Sequence, residues 1–401
     1  MADDILTTGS SAARKPPLAI LVAVSAIGPL ALNIFIPSMP GLQRALDAEP
    51  SEVQLTLTLY LFAIAVAQLG YGPLSDRFGR RPVLLAGLVI FTLASIACAL
   101  APNLESLIVA RVFQAIGGCS GMVLSRAIVR DLYDREKSAS ILGYITMAWV
   151  IAPMLAPSIG GLLDVWFGWR ASFLFLVVVG ALTLLATLRW LHETNFQLQS
   201  LPGLVGLLAG YRGIARSRAY LCYVAQTSFG GAIFFSFLAG APYVMVEILG
   251  RTPLEYGLYF ALVSLGYMTG NGISGRFSQA VGIRGMLRLS AAFTLLGCVA
   301  MTSFFAAGWV SVAALFLPMV SVALGNGMGV PNGTAGAVSV DPSRAGAAAG
   351  LAGFLQMTIA ALGSQIVGFL QTGSALPMSV VMLIFAFGGL AAFLALPRSE
   401  R

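Results

Sequence analysis

Residues 72–102 read GPLSDRFGRRPVLLAGLVIFTLASIACALAP, a short charged loop followed by a long apolar segment. The apolar segment, residues 82–102, carries no charged side chain. As a helix it is long enough to span about 30 Å of hydrocarbon, where only a helix or a closed barrel satisfies every backbone polar group. The stretch therefore predicts a membrane helix with a charged loop at one membrane surface.

The same alternation of apolar segments and short loops fills the chain. Hydrophobic residues make up 58% of the 401 residues and charged residues only 10%, whereas soluble domains have about 25% charged residues. So few charges could not cover a water-soluble fold. We predict an all-α integral membrane protein with twelve transmembrane helices, at residues 18–38, 53–75, 82–102, 104–129, 138–163, 170–191, 218–243, 254–277, 285–307, 309–333, 345–371 and 376–396.

The distribution of positive charge predicts the topology. If the N-terminus is cytoplasmic, most of the 23 Lys and Arg residues fall in cytoplasmic loops or at cytoplasmic helix ends. Only Arg44, Arg170 and Arg251 fall on the outer side, and Arg111 lies inside a span. The positive-inside rule therefore places both termini in the cytoplasm. The net charge of +7 is explained by lipid contact and topology, so we predict no nucleic-acid partner.

Cysteine and histidine provide no sign of metal or cofactor chemistry. The four cysteines are single residues in predicted spans without CxxC spacing, and His192 is the one histidine. An enzyme embedded in the membrane would need a nucleophile, metal ligands or an acid–base pair within the spans. We therefore predict no metal site, no cofactor and no enzymatic activity.

A polar interruption near the midpoint divides the predicted spans into six and six. We predict an N-terminal six-helix bundle over residues 1–191, a cytoplasmic linker over 192–217 and a C-terminal six-helix bundle over 218–401. Within the linker, apolar residues at helical spacing beside arginines predict a helix lying in the membrane interface, with an unstructured linker as the alternative. The apolar residues are Leu201, Leu204, Leu207, Leu208 and Tyr211.

Short internal similarities support this division. Residues 75–78, SDRF, resemble residues 274–277, SGRF, and residues 143–147, GYITM, resemble residues 353–357, GFLQM. Repeated halves in a transporter predict a substrate cavity at their interface. Chance similarity between apolar helices is the alternative for the second pair.

The charged loop GPLSDRFGRR, residues 72–81, resembles the loop motif between helices 2 and 3 of the major facilitator superfamily. Asp76 can bind a cation or a helix N-terminus. The resemblance implies a latch for the outward-facing state, in which Asp76 contacts residues 343–346 and Arg126 or Arg130. The latch residues carried over from the motif are Gly72, Asp76, Arg77, Gly79, Arg80 and Arg130.

Three further stretches narrow the resemblance. Residues 152–161, APMLAPSIGG, resemble the helix 5 motif of antiporters, whose positions here are Pro153, Pro157, Gly160 and Gly161. With residues 33–40, NIFIPSMP, and 126–133, RAIVRDLY, the chain resembles the Bcr/CflA group of bacterial drug exporters. That resemblance implies a monomeric, multi-pass inner-membrane protein that exports small amphipathic drugs by alternating access in exchange for protons, with lipids as its other partners.

Arg111 lies in residues 110–118, ARVFQAIGG, which resemble the helix 4 motif of proton-coupled exporters. A charged residue inside a membrane is costly, so we expect Arg111 to face the protein interior and to take part in transport and coupling. Gln114 shares its helix face, and Asn33 is its expected neighbour. Related exporters commonly have Asp at the position of Asn33, and asparagine cannot carry a proton.

The proton carrier must therefore lie elsewhere. We select Glu247 because residues 243–247 continue the seventh helix, with Glu52, Glu105 and Glu255 as further candidates near outer helix ends. A proton carried by the substrate, or the absence of coupling, is the alternative.

Aromatic, methionine and amide side chains on the helices that line the cavity in this superfamily are the candidate drug contacts, because they accommodate varied apolar molecules. These candidates are Tyr60, Tyr144, Met147, Gln226, Phe235, Asn326 and Gln356. The rival interpretation is a transporter of the same fold for a sugar or an amino acid, which would need many hydrogen-bonding side chains in the cavity. A scaffold or receptor would leave Arg111 and the loop motif unexplained.

Overall fold

The computed structural model describes residues 16–196, 198, 211–341, 344–371 and 373–397, and its regular structure is helical throughout these ranges. Residues 201–210 of the predicted interfacial helix lie outside the described residues, whereas Tyr211 begins a short helical segment, residues 211–215. The helices are α1 (Leu18–Ile34), α2 (Met39–Ala45), α3 (Pro50–Phe78), α4 (Arg80–Leu100), α5 (Leu104–Leu132), α6 (Arg135–Phe167), α7 (Arg170–Trp190), α8 (Arg218–Tyr243), α9 (Pro253–Ala306), α10 (Val312–Ser339), α11 (Ala345–Phe369) and α12 (Leu376–Leu394).

Side-chain caps and glycines set several helix ends. The Asn103 side chain accepts a hydrogen bond from the backbone of the first turn of α5. A capping box of Thr252 and Glu255 starts α9. Gly79 and Gly168 follow α3 and α6 with φ of +94° and +78°, a backbone conformation in which glycine avoids the steric cost of a Cβ.

Within the described residues, ten helices are long and apolar enough to cross a membrane. The longest, α9, has 54 residues and would extend about 80 Å if straight, far more than one bilayer requires. Its backbone breaks at Gly282, where φ is +75° and ψ is 159°. The eighth and ninth predicted spans are the two arms of α9, and the fifth lies within α6.

Large apolar side chains cover much of the outer surface. Leu93, Leu182, Leu296 and Ile384 each expose more than 60% of their area. In water such a surface would drive association, whereas in a bilayer it faces lipid tails of the same polarity. The surface therefore agrees with a membrane-embedded helical protein.

Two helix pairs, α3 with α11 and α6 with α9, join residues 16–196, here called the first part, to residues 211–397, the second part. At the α6–α9 crossing, Gly161 packs against the backbone of Pro253, and Gly257 packs against the carbonyl of Pro157. Gly160 packs against the backbone of α1. Small residues of the helix 5 motif thus permit close helix approach between the two parts.

Candidate functional site

A cavity of about 230 Å³ lies between the two parts. It is lined by α1, α3, α5 and α6 of the first part and by α8 to α11 of the second. Most lining side chains are apolar or aromatic, including Met122, Phe234, Phe235 and Met357. Its polar side chains, counting the indole of tryptophan, are Asn33, Trp149, Ser264, Tyr267, Asn326 and Gln356.

Three of the seven predicted drug contacts line this cavity. Phe235, Asn326 and Gln356 converge from α8, α10 and α11. Asn33, predicted for coupling, lines it from α1, and Pro153 of the helix 5 motif lines it from α6. Residues from both parts therefore meet around one volume, as the internal repeats predict.

The other four candidates lie elsewhere. Tyr60 is fully buried beneath Arg111, and its hydroxyl donates to the carbonyl of Gly28. Tyr144 and Met147 are about half exposed but do not line the cavity. The amide of Gln226 donates to the backbone of α9. These four residues do not line the cavity, because membership of a helix does not fix which face points inward, and their role in drug binding stays a prediction.

Sequence reasoning also missed several lining residues. Trp149 and Tyr267 line the cavity, and neither stands in a recognised motif. A usable signal was present for one of them, because Trp149 lies four residues before Pro153 and therefore on the same face of α6. For Tyr267 we find no equivalent signal.

Arg111 is fully buried beside this cavity, at the centre of a group here called the Arg111 cluster: Arg111, Gln114, Ser95 and Tyr60. Its Nη1 donates to the side-chain oxygen of Gln114 at 2.6 Å and to the carbonyl of Ala31 at 3.1 Å. Gln114 in turn donates to the Ser95 hydroxyl at 2.8 Å. The guanidinium lies 4.0 Å from the centre of the Tyr60 ring, so a cation–π contact replaces part of its lost hydration.

The partners of Arg111 do not neutralise its charge. Among the described residues, its Nε and Nη2 have no hydrogen-bond partner, and no carboxylate forms an ion pair with it. The expected contact with Asn33 is absent from these bonds, because Asn33 donates to the carbonyl of Pro29 within its own helix. The side-chain oxygen of Asn33 is buried without a partner among the described residues. An uncompensated positive charge therefore lies behind the cavity wall.

The two parts are also joined beyond the cavity, at the end of the molecule that carries α2. Thr58 of α3 donates to the Gln365 side chain of α11 at 2.8 Å, and Gln365 donates to the backbone of Ser51 at 3.1 Å. Gln54 and Ser364 form a further hydrogen bond between the same helices. These bonds close the α2 end of the interface.

Glu247, the selected proton carrier, lies at this same end. It follows α8 in a short π-helical segment, Val244–Ile248, and pairs with Arg44 of α2 at 3.4 Å. Its side chain is about one-third exposed and does not line the cavity. Glu247 therefore contributes to the contact between the two parts rather than to the cavity.

The sequence and the fold both match known proteins. The Major Facilitator Superfamily matches residues 21–364, most of the chain. The chain belongs to the Major Facilitator Superfamily. Among solved structures, the xylose transporter XylE of E. coli in a partially occluded inward-open conformation superposes with a TM-score of 0.74 at 13% identity, covering 94% of this chain and 95% of that one. At that identity the likeness shows the fold.

Relatives within the superfamily carry resistance names. Multidrug resistance protein D of Escherichia coli K12 is 33% identical over 339 residues, 84% of this chain and 85% of that protein. A chloramphenicol resistance protein of Pseudomonas aeruginosa is 34% identical over 319 residues, 79% of this chain and 73% of that protein. A Bicyclomycin resistance protein homolog of Haemophilus influenzae is 27% identical over 368 residues, 90% of each chain. The resemblance to Bcr/CflA-type facilitators is confirmed.

Membership also settles the class and the location. Members of this superfamily are transporters and not enzymes, so the prediction of no enzymatic activity is confirmed. Together with the apolar helices, it identifies a multi-pass protein of the bacterial inner membrane. The predicted site residues carry no such confirmation, and their roles remain proposals.

The superfamily's loop motif forms a compact ion-pair network. Arg80 pairs with Asp76 at 2.6 Å and with Asp131 of α5 at 3.0 Å. Among the described residues, neither Arg126 nor Arg130 forms an ion pair with Asp76, and Arg126 stacks instead 4.2 Å from the centre of the Trp149 ring.

Other members of the motif have different contacts. Residues 342–343 lie outside the described residues, and Arg344 pairs with Asp341 at 3.8 Å. Arg77 lies over the Phe78 ring at 5.3 Å. A side chain at Gly72 would meet open space, so of the two motif glycines it is Gly79 that requires its residue type.

Glu193, at the start of the linker, binds this network. Its carboxylate accepts the backbone N–H groups of Arg80 and Arg81 at 2.9 and 3.1 Å, which are the first two of α4. It also accepts the backbone N–H groups of Thr194 and Asn195. A carboxylate at a helix N-terminus satisfies unpaired donors and complements the helix dipole. No motif in the sequence pointed to Glu193, although it is a carboxylate just after a predicted span.

Proposed function

We propose that this protein exports small amphipathic drugs across the inner membrane by alternating access. The observation that carries the proposal is the cavity lining, which is mainly apolar and aromatic with a few amides. Such a lining accommodates varied apolar molecules without an exact set of hydrogen bonds. A sugar or amino acid carrier would need more fixed polar partners. The resistance names of the relatives support the same substrate class.

The proposed topology has twelve spans in two six-helix bundles, residues 1–191 and 218–401, joined by the linker 192–217, with both termini in the cytoplasm. The break at Gly282 supports twelve spans, since it divides α9 into two arms that are each long enough to cross. In this topology the closed α2 end faces the periplasm. The conformation described here is then inward-facing, and the protein works as a monomer surrounded by lipid.

We infer that transport is coupled to proton entry. Arg111, hydrogen-bonded to Gln114, would keep its positive charge in both conformations. Asn33 would not carry the proton, because an asparagine side chain does not titrate. Protonation of Glu247 would abolish its pair with Arg44 and so weaken the contact between the two parts at the α2 end. Opening that end would then release the drug to the periplasm.

The loop network would act as the latch. In the conformation described here, Asp76 and Arg80 are bound to each other. Formation of the outward-facing state would exchange this pair for contacts of Asp76 with α5 and with the start of α11. Asp76→Asn should therefore slow the transport cycle and leave drug affinity at equilibrium unchanged.

The test is efflux of chloramphenicol from proteoliposomes with and without an imposed proton gradient. Efflux that requires the gradient would support antiport, and the Glu247→Gln variant should lose the gradient dependence. Asp47→Asn, between α2 and α3 at the same end of the molecule, is the matched control and should transport normally. Failure of the wild-type protein to move chloramphenicol under either condition would contradict the drug-export proposal and favour a metabolite carrier.

A further inference from the structure

We propose that the cavity selects substrates by charge, binding neutral and anionic aromatic amphiphiles and excluding cations. The proposal rests on the proposed function, in which this cavity is the drug site. Two guanidinium groups lie next to its walls, Arg111 on the carbonyl of Ala31 and Arg126 on the ring of Trp149, and none of its described lining residues is Asp or Glu. The charge balance of the walls is therefore positive.

The larger contribution comes from Arg111. Its Nη1 binds the carbonyl of Ala31, and the next two residues, Leu32 and Asn33, line the cavity. The guanidinium is fully buried, and two of its nitrogens have no hydrogen-bond partner among the described residues. Burial excludes the water and salt that would otherwise screen the charge. Its field therefore reaches the cavity with little attenuation.

A second guanidinium lies against a wall residue on the same side of the cavity. Arg126 of α5 stacks at 4.2 Å on the ring of Trp149, which lines the cavity from α6. The Trp149 Nε1 is buried without a partner among the described residues, so the wall carries an unused hydrogen-bond donor. The Arg126 side chain is exposed, so solvent weakens its field and its effect should be smaller than that of Arg111.

These groups distinguish three kinds of ligand. A cation would lose its hydration without gaining a carboxylate, and it would be repelled by both guanidinium groups. With an effective dielectric constant of about 20, a unit charge within about 10 Å of the ligand changes binding by more than about tenfold. A neutral ligand can bond to the amides of Asn33, Asn326 and Gln356, and an anion gains attraction.

The test uses three probes of one shape: naphthoate, naphthamide and naphthylmethylammonium. Their binding to the purified full-length protein in nanodiscs is measured by equilibrium dialysis at neutral pH. We expect the ammonium to bind at least about tenfold more weakly than the amide, and the carboxylate to bind at least as tightly as the amide. Equal or tighter binding of the ammonium would overturn the proposal.

Variants identify the source of the selectivity. Arg111→Met should remove most of the discrimination, and Arg126→Met should reduce it slightly. Arg170→Met is the matched control, because Arg170 also stacks at 4.2 Å on a tryptophan, Trp169, that does not line the cavity. This control should leave the three affinities unchanged.

A second variant, Asn33→Asp, tests the proposal independently of whether Arg111→Met folds, because it should gain binding of the ammonium probe. Asn33→Asp adds a carboxylate to the cavity wall, so it should admit the ammonium probe and reject the carboxylate. An unchanged order of affinities in Asn33→Asp would contradict a selection by charge.

Chloramphenicol efflux separates this inference from the proposed function. If chloramphenicol is exported while the three probes bind equally, charge selection is wrong and drug export stands. If chloramphenicol is not moved and the amide does not bind, drug export is wrong and the inference fails with it.

Discussion

The Arg111 cluster in the first part of the chain and a buried group around Met319 in the second part occupy matching places, yet one is charged and the other apolar. Each member of the cluster is fully buried. In the second part, Met319 takes the place of Arg111, and Val322 that of Gln114. Cys298 takes the place of Ser95, and Val263 that of Tyr60. These four side chains are at most 1% exposed.

The match follows from the loop glycines. Gly79 and Gly282 share an unusual backbone conformation, with φ of +94° and +75° and ψ near 155° in both. Two residues after each glycine an arginine, Arg81 or Arg284, donates to carbonyl oxygens at or just past the C-terminal end of the last helix of its part. These positions therefore fix the alignment of the two parts.

Helix packing extends the match into the membrane. Gly117 of α5 packs against the backbone of Phe91, and Gly325 of α10 packs against Thr294. The spacing from Gly79 to Phe91 equals that from Gly282 to Thr294. Close packing of α5 on α4 thus recurs in α10 on α9. The same helix packing therefore holds either a charged or an apolar group, so the fold itself does not require the charge of Arg111.

The largest effect is expected when an arginine is placed in the buried apolar group of the second part. Met319→Arg would bury a guanidinium among apolar side chains without the amide and hydroxyl partners that Arg111 has. We expect a loss of at least about 3–5 kcal/mol of stability, seen as failure to accumulate or as aggregation on heating in detergent. Met319→Leu is the control and should cost less than about 1.5 kcal/mol. A stable Met319→Arg protein would show that the second part also accommodates a charge.

The reverse exchange tests function. Arg111→Met installs the residue of the second part, and we expect it to fold with unchanged or higher thermal stability, because removing a buried charge relieves a desolvation cost. Drug efflux from proteoliposomes should fall to the level of empty liposomes. Normal efflux by this variant would remove Arg111 from the mechanism.

The shared packing can be tested at the glycines. Gly117→Ala would press a methyl group against the backbone of Phe91, and we expect a loss of about 1–3 kcal/mol, measured as a lower midpoint of thermal unfolding. Gly325→Ala meets the hydroxyl of Thr294, which can move, and the backbone carbonyl of Ser290 at 2.8 Å; its backbone contacts are longer than those at Gly117, so its loss should be somewhat smaller. Gly272→Ala in α9 meets open space and should be neutral or slightly stabilising. Equal effects at all three positions would contradict the packing argument.

The smallest effect concerns the loop of the first part. Glu193→Gln retains the shape but removes the charge that caps α4, so we expect a loss of about 1 kcal/mol. High salt should narrow the difference from the wild type. A larger loss than that of Gly117→Ala would mean that the linker contact dominates the stability of the first part.

The register of the internal repeat shows where sequence comparison fails. Aligning the similar stretches SDRF and SGRF pairs Ser75 with Ser274. Aligning the backbone breaks at Gly79 and Gly282 pairs Ser75 with Ser278. The two alignments differ by one helical turn, which presents nearly the same face of a helix. Apolar helix sequences cannot distinguish such registers, but a backbone break at a single glycine can.

The same reason explains the mixed outcome at the cavity. Sequence periodicity and motifs selected the helices correctly, and Phe235, Asn326 and Gln356 do line the cavity. Tyr60 was assigned to the drug site but lies beneath Arg111, and Trp149 was overlooked. Helix rotation and tilt depend on packing with neighbours, which a single sequence does not record.

The sequence alone determined that this chain crosses the membrane repeatedly, that Arg111 must be buried within the protein and that the loop after α3 carries a superfamily motif. These properties follow from the cost of exposing backbone or charge to hydrocarbon, which acts on each segment independently. The tertiary structure decided which faces form the cavity, that Asp76 pairs with Arg80 and that Glu193 caps α4. Those contacts join residues distant in the chain, so only the packing of whole helices could bring them together.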